Sequence, residues 1–241
     1  MTAPGYSLAD SLTAAAGSAE RLLRTVERMR PEQVLESSAL PGWTRGHVLT
    51  HISRNADGLG NLLRGARTSQ PIPMYPSPES RERGIQDGAK RTLAEQLADL
   101  RASGLRFTTA TEAMPDAAWA VEVPHRTGPF PASDVPLKRI AEVEYHHVDL
   151  GLDYTPAQWP EPFVARELAS LAGRYRGAAD LPPMLLRDSG TGAGYELGSG
   201  TRPPLELGAP AWALLAWLSG RSDGSGLSVP VADLPQLPPM S

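Results

Sequence analysis

The sequence predicts an α+β protein: an N-terminal four-helix bundle followed by a smaller α+β domain. Three observations carry that reading. Apolar residues recur at helical spacing through the first 150 residues. Beyond about residue 155, short extended segments alternate with turn residues. Pro 24 and Gly 23 concentrate at 68–80, 124–136, 182–204 and 222–241, which separates the periodic stretches. The reading places a bundle domain at 1–155 and a small α+β domain at 156–241.

The elements follow in order. Residues 7–30 carry Leu8, Leu12, Ala15, Leu22, Val26 and Met29 on one helical stripe, and Pro31 stops it. After the turn "LPGW", Thr44 is an N-cap for a second helix over 44–65, with Val48, Ile52, Leu59 and Leu62 as its apolar stripe. A third helix is expected over 82–114, with a bend at Gly88 or Gly104, and a fourth over 136–151. Four helices of this length suggest an antiparallel bundle. "PFVARELASLAGRYRG" adds a helix. "MLLRDSG", "GYELGSG" and "PPLELGAP" read as extended, "APAWALLAWLSGR" as a helix ending at Gly220, and "GLSVPVADL" as extended again.

Bulk composition narrows the chemistry. The 241 residues hold 41% apolar and 21% charged side chains, a globular balance. The net charge of −4 offers no basic footprint for nucleic acid. No run of 18 apolar residues spans a membrane, and "MTAPGYSLAD" lacks a signal-peptide pattern, so a cytoplasmic monomer is expected. There is no cysteine. Any thiol chemistry must borrow its sulfur, and metal ligands must be histidine, carboxylate or water.

Chemistry concentrates in "AEVEYHHVDL", residues 141–150. Glu142 and His146 stand at i and i+4, about 40° apart on a helix, with Asp149 and Arg139 on the same stripe. A histidine and a carboxylate so spaced can chelate one ion, and bundle cores are where such sites are built. The other His pair, His47 and His51 in "HVLTH", could supply a third ligand. Two histidines and one carboxylate leave an open coordination position, the pattern of a catalytic site. A solvated charged helix face is the competing reading.

The stretches "LPGWTRGHVLTHISRNADGLGNLLRG", "PMYPSPESRERGIQDGA", "RIAEVEYHHVDL" and "AWALLAWLSGR" resemble, in order, the mycothiol-dependent maleylpyruvate isomerase family, whose bundle is similar to the metal-binding DinB-like fold. The resemblance implies a zinc site of His51, Glu142 and His146. Glu144 and His147, at i and i+3, compete for the same role. His47 is expected to cap or to make a core hydrogen bond. Arg221 matches an arginine used near the family's active site, and Arg81, with Arg83 close by, is a weaker match. The implied reaction is isomerisation of maleylpyruvate to fumarylpyruvate by thiolate addition and elimination, with Zn2+ and mycothiol, in gentisate-type aromatic catabolism. Another thiol-dependent S-transferase, a metal-assisted hydrolase and a non-catalytic binding module are the alternatives.

Overall fold

The computed structural model describes residues 6–126 and 128–238. The chain divides into two compact units, one of Ser7–Asp153 and one built from Tyr154 onward. In the first unit, α1 (Leu8–Glu27), α2 (Arg45–Thr68), α3 (Pro78–Gly88), α4 (Leu93–Glu112) and α5 (Val135–Asp149) are joined by turns and a short hairpin. Helix α2 packs on α4 and α5, and α1 packs on α5 and α4, closing a four-helix bundle. Leu22, Val26, Val48, Leu49, Ile52 and Val143 form one core cluster between these helices.

Local chemistry starts each helix. Ser7, Thr44, Ser77 and Thr92 are N-caps whose hydroxyls accept from the N3 backbone N–H. The helix expected over 82–114 is two helices. Gly88 ends α3, and its missing side chain is required, since a Cβ there would lie 2.4 Å from Thr50 Cγ2. Thr92 then starts α4, and Gln96 Nε2 donates to the Gly88 carbonyl at 2.8 Å, fixing the joint. Between α4 and α5, β1 (Glu122–Val123) pairs antiparallel with β2 (Phe130–Pro131).

The second unit holds α6 (Glu161–Tyr175), the sheet and α7 (Ala211–Leu218). Strand β3 (Met184–Asp188) lies between β4 (Gly194–Leu197), antiparallel, and β5 (Leu205–Ala209), parallel. Asp188 ties the sheet to α7: its Oδ1 accepts from Ala211 N at 3.0 Å. The segment 226–234, expected to be extended, contains a short 3-10 turn at Val231–Asp233 and no strand. No helix among the described residues is long and apolar enough to cross a membrane.

Candidate metal centre

Helix α5 is packed between α1 and α2, so polar side chains on two of its sides are covered. Towards α2, Glu142 Oε2 lies 2.9 Å from His51 Nε2 and 3.5 Å from His146 Nε2. The two imidazoles meet edge to face, with ring centroids 4.5 Å apart. Among the described residues these three form a cluster whose possible ligand atoms all lie within 4.8 Å of one another. Ligand atoms about 2.1 Å from one tetrahedral ion stand about 3.4 Å apart, so small side-chain adjustments bring the set to that spacing.

The neighbours of the cluster orient it. His146 Nδ1 is held by Asp149 Oδ2 at 2.8 Å, which leaves Nε2 facing Glu142. Trp43 packs edge-on to the His51 ring at 5.7 Å. Arg139, buried behind the cluster, donates to the Ile52 carbonyl at 2.8 Å and to Asn55 Oδ1 at 3.1 Å. Burial pulls the Arg139 guanidinium down to about 10, partly offset by Glu142.

Charge in the cluster favours a cation. Burial opposes ionisation of Glu142, yet hydrogen bonds from His146 and His51 hold its carboxyl well below the usual range. Burial also opposes protonation of His146, but Asp149 and Glu142 together raise it. Burial dominates at His51 and lowers it, keeping that ring neutral. Two carboxylates therefore surround two imidazoles in a partly buried place that attracts positive charge. An ionised carboxylate and a neutral imidazole are the forms that bind metal, and nitrogen and oxygen donors suit zinc. The residues present fit the group.

The other sequence candidates lie elsewhere. Glu144 and His147 face α1: fully buried Glu144 accepts from Ser18 Oγ and pairs with Arg21, and His147 Nε2 meets Thr25 Oγ1 at 2.9 Å. His47 completes the capping box of α2, its Nδ1 accepting from Thr44 N at 3.1 Å, and its Nε2 reaches Gln86. Arg81 is beside the cluster, with Nη2 3.2 Å from His51 Nδ1 and its guanidinium 5.9 Å from the centre of the Tyr75 ring. Arg83 is exposed. Arg221 belongs to the second unit, where it follows α7 and donates to the Ser219 carbonyl at 2.8 Å.

The cluster opens into a cavity of about 540 Å³, lined in part by His51, Glu142, Arg81, Tyr75, His125 and Arg126. Its wall at 73–77 is seated on α2: Asn61 Nδ2 donates to the Met74 carbonyl at 3.1 Å, and a Cβ on Gly58 would press on Met74 and Tyr75. Sequence reasoning did not single out Tyr75, His125 or Arg126. The polar pair "HR" inside a proline-bounded loop was the available signal for the last two.

A family model described as the mycothiol maleylpyruvate isomerase N-terminal domain matches residues 15–151, which hold the whole cluster. The chain belongs to the mycothiol maleylpyruvate isomerase family. Two solved structures are similar over 100% of both chains with a TM-score of 0.91. One is a mycothiol-dependent maleylpyruvate isomerase at 26% identity, and the other is a histidine-to-alanine variant under the same description at 25%. No curated protein sequence matches the chain. Membership makes this an enzyme of the isomerase class, and the solved relatives share its α+β architecture from end to end.

Proposed function

We propose that the protein is a mycothiol-dependent isomerase that converts maleylpyruvate to fumarylpyruvate, with zinc held by His51, Glu142 and His146. The observation that carries this reading is the convergence of those three side chains at one wall of a cavity that also holds Arg81. Family membership supplies the substrate and the thiol.

Maleylpyruvate is a cis enedioate, and its double bond must lose π character before it can rotate. Addition of a thiolate to the alkene gives a rotatable single bond, and expulsion of the same thiolate restores the alkene in trans form. The step balances without oxidant or net proton. Zinc, when bound, supplies a Lewis acid that keeps a sulfur ligand ionised at neutral pH.

The chain's own groups do the rest. Asp149 fixes the His146 ring, and Trp43 fixes His51. Addition leaves an enolate, and Arg81 is the fixed positive charge beside the cluster that stabilises it. Arg221 is assigned to substrate on the resemblance alone. Arg221→Ala should leave the metal content intact and lower turnover at least about a hundredfold, the scale of losing one such group; activity within a fewfold of the parent removes Arg221 from the assignment.

Turnover of maleylpyruvate, followed by absorbance with and without mycothiol, tests the reading. Fumarylpyruvate formed only with the thiol supports it. No turnover by zinc-loaded protein moves the function to another thiol-dependent reaction on this scaffold, and turnover without thiol points to water as the nucleophile.

A further inference from the structure

The cavity beside the cluster is electrostatically unlike the rest of the chain. The protein carries a net charge of −4, yet the cavity lining includes Arg81 and Arg126, and its carboxylate, Glu142, is already engaged by His51 and His146. Arg139 stands behind that carboxylate. Lys138 lies near His125, with its Nζ 5.4 Å from the Phe130 ring centre. A concave site with an excess of fixed positive charge concentrates anions.

Arg126 is carried on a built element. The β1–β2 hairpin pairs Val123 with Phe130, and Val123 is buried in the core. The turn is closed by Gly128 N donating to the His125 carbonyl at 3.1 Å. The His125 ring packs edge-on to Phe130, with centroids 5.5 Å apart. Burial lowers the His125 imidazole, and Lys138 and Arg126 lower it further, so it is a neutral hydrogen-bonding group beside a charged one. Arg81 comes from α3 and Arg126 from the hairpin, so two separate elements each bring a guanidinium to one cavity.

The substrate has matching chemistry. It is a dianion with a carboxylate at each end of a seven-carbon chain. One carboxylate is attached to the reacting alkene and belongs beside the metal cluster, where Arg81 stands. The other terminates the pyruvyl end, several bonds away. We propose that Arg126, oriented on the hairpin with His125, binds the pyruvyl carboxylate and makes the enzyme selective for dicarboxylates. This deepens the isomerase reading and rests on it. Arginine suits the task because its planar fork pairs a carboxylate through two hydrogen bonds. Arg126 is exposed, which places its effect at the modest end for a charged hydrogen bond.

The test compares maleylpyruvate with maleylacetone, in which a methyl group replaces the pyruvyl carboxylate, at saturating mycothiol. Arg126→Ala should raise KM for maleylpyruvate about tenfold, leave kcat within about threefold, and leave KM for maleylacetone within about twofold. Arg126→Lys should recover part of the loss. An equal rise for both substrates, a rise in KM for the thiol instead, or no rise overturns the proposal. A second arm needs no turnover. Calorimetric titration with the saturated analogues 4,6-dioxoheptanedioate and 4,6-dioxoheptanoate should show about tenfold tighter binding of the dianion, and Arg126→Ala should abolish the difference. Equal binding of the two by the parent overturns the proposal. If the parent discriminates between these analogues but isomerises neither alkene, the isomerase reading fails and the carboxylate subsite stands.

Discussion

Helix α5 carries two histidine–carboxylate pairs, and they have opposite fates. Glu142 and His146 face α2 and meet a third donor, His51, beside a cavity. Glu144 and His147 face α1 and meet Ser18, Arg21 and Thr25. In the second pair hydroxyls and a guanidinium already engage Glu144 and His147 Nε2, as burial of polar groups favours. In the first pair the neighbours are other potential ligands, whose donor atoms all lie within 4.8 Å of one another and can turn lone pairs to one ion once the ring protons between them leave. Residue types are alike on the two sides, but Glu142 and His146 are partly exposed at the cavity while Glu144 and His147 are buried; what separates a metal-binding cluster from a structural one is whether the partners donate or compete.

The largest effect expected from this contrast is on catalysis. Glu142→Ala should abolish stoichiometric metal and cut turnover at least about a thousandfold, because several kcal/mol of charge stabilisation leave with the ion. Glu144→Ala should keep both, and should instead lower stability by roughly 1–3 kcal/mol through the loss of the buried partner of Ser18 and Arg21. Metal analysis, steady-state rates and urea unfolding read all of these. A smaller effect belongs to Asp149. Its removal frees the His146 ring to turn, so Asp149→Ala should weaken metal affinity about 10–100-fold, measured by competition with a chelator.

The α1 side makes a prediction in pH. Burial, with help from Arg21 and Arg28, pulls the His147 imidazole down to about 3, against about 6.5 in an unfolded chain. The unfolded state then binds more protons between those values. The stability from keeping His147 neutral is complete above about pH 6.5 and is lost progressively as pH falls towards 3. By pH 5 the loss is on the order of 2 kcal/mol. The drop in urea midpoint between pH 7 and pH 5 should be smaller in His147→Gln than in the parent, and equal drops would contradict it. The smallest effect is at His47, whose ring caps α2: His47→Ala should cost about 1 kcal/mol of stability with metal content unchanged.

Much of the first unit was legible in the sequence because caps and stripes are local. Thr44 announced α2, and the 40° separation of Glu142 and His146 put them on one face. The same wheel puts Glu144 and His147 on the other side but cannot say which neighbour each side meets, and α5 is covered on both. His47 and His51 share one spacing, yet one is a cap at N3 and the other points into the bundle; only the position of Thr44 distinguishes them in advance. The break at Gly88 was hidden because it depends on Thr50, 38 residues away in the chain, occupying the space of a side chain. The cavity walls at 73–77 and 124–126 are loops without periodicity, so Tyr75 gave no pattern to read, and His125 and Arg126 gave only a polar pair between prolines.

The central claim is that the α2-facing set, and not the α1-facing one, holds the metal. Anomalous X-ray scattering at the zinc absorption edge, recorded from crystals of zinc-loaded protein, tests it most directly. The account predicts one strong peak bonded to His51, Glu142 and His146. A peak on Glu144 or His147, or no peak on any of these five side chains, would contradict it.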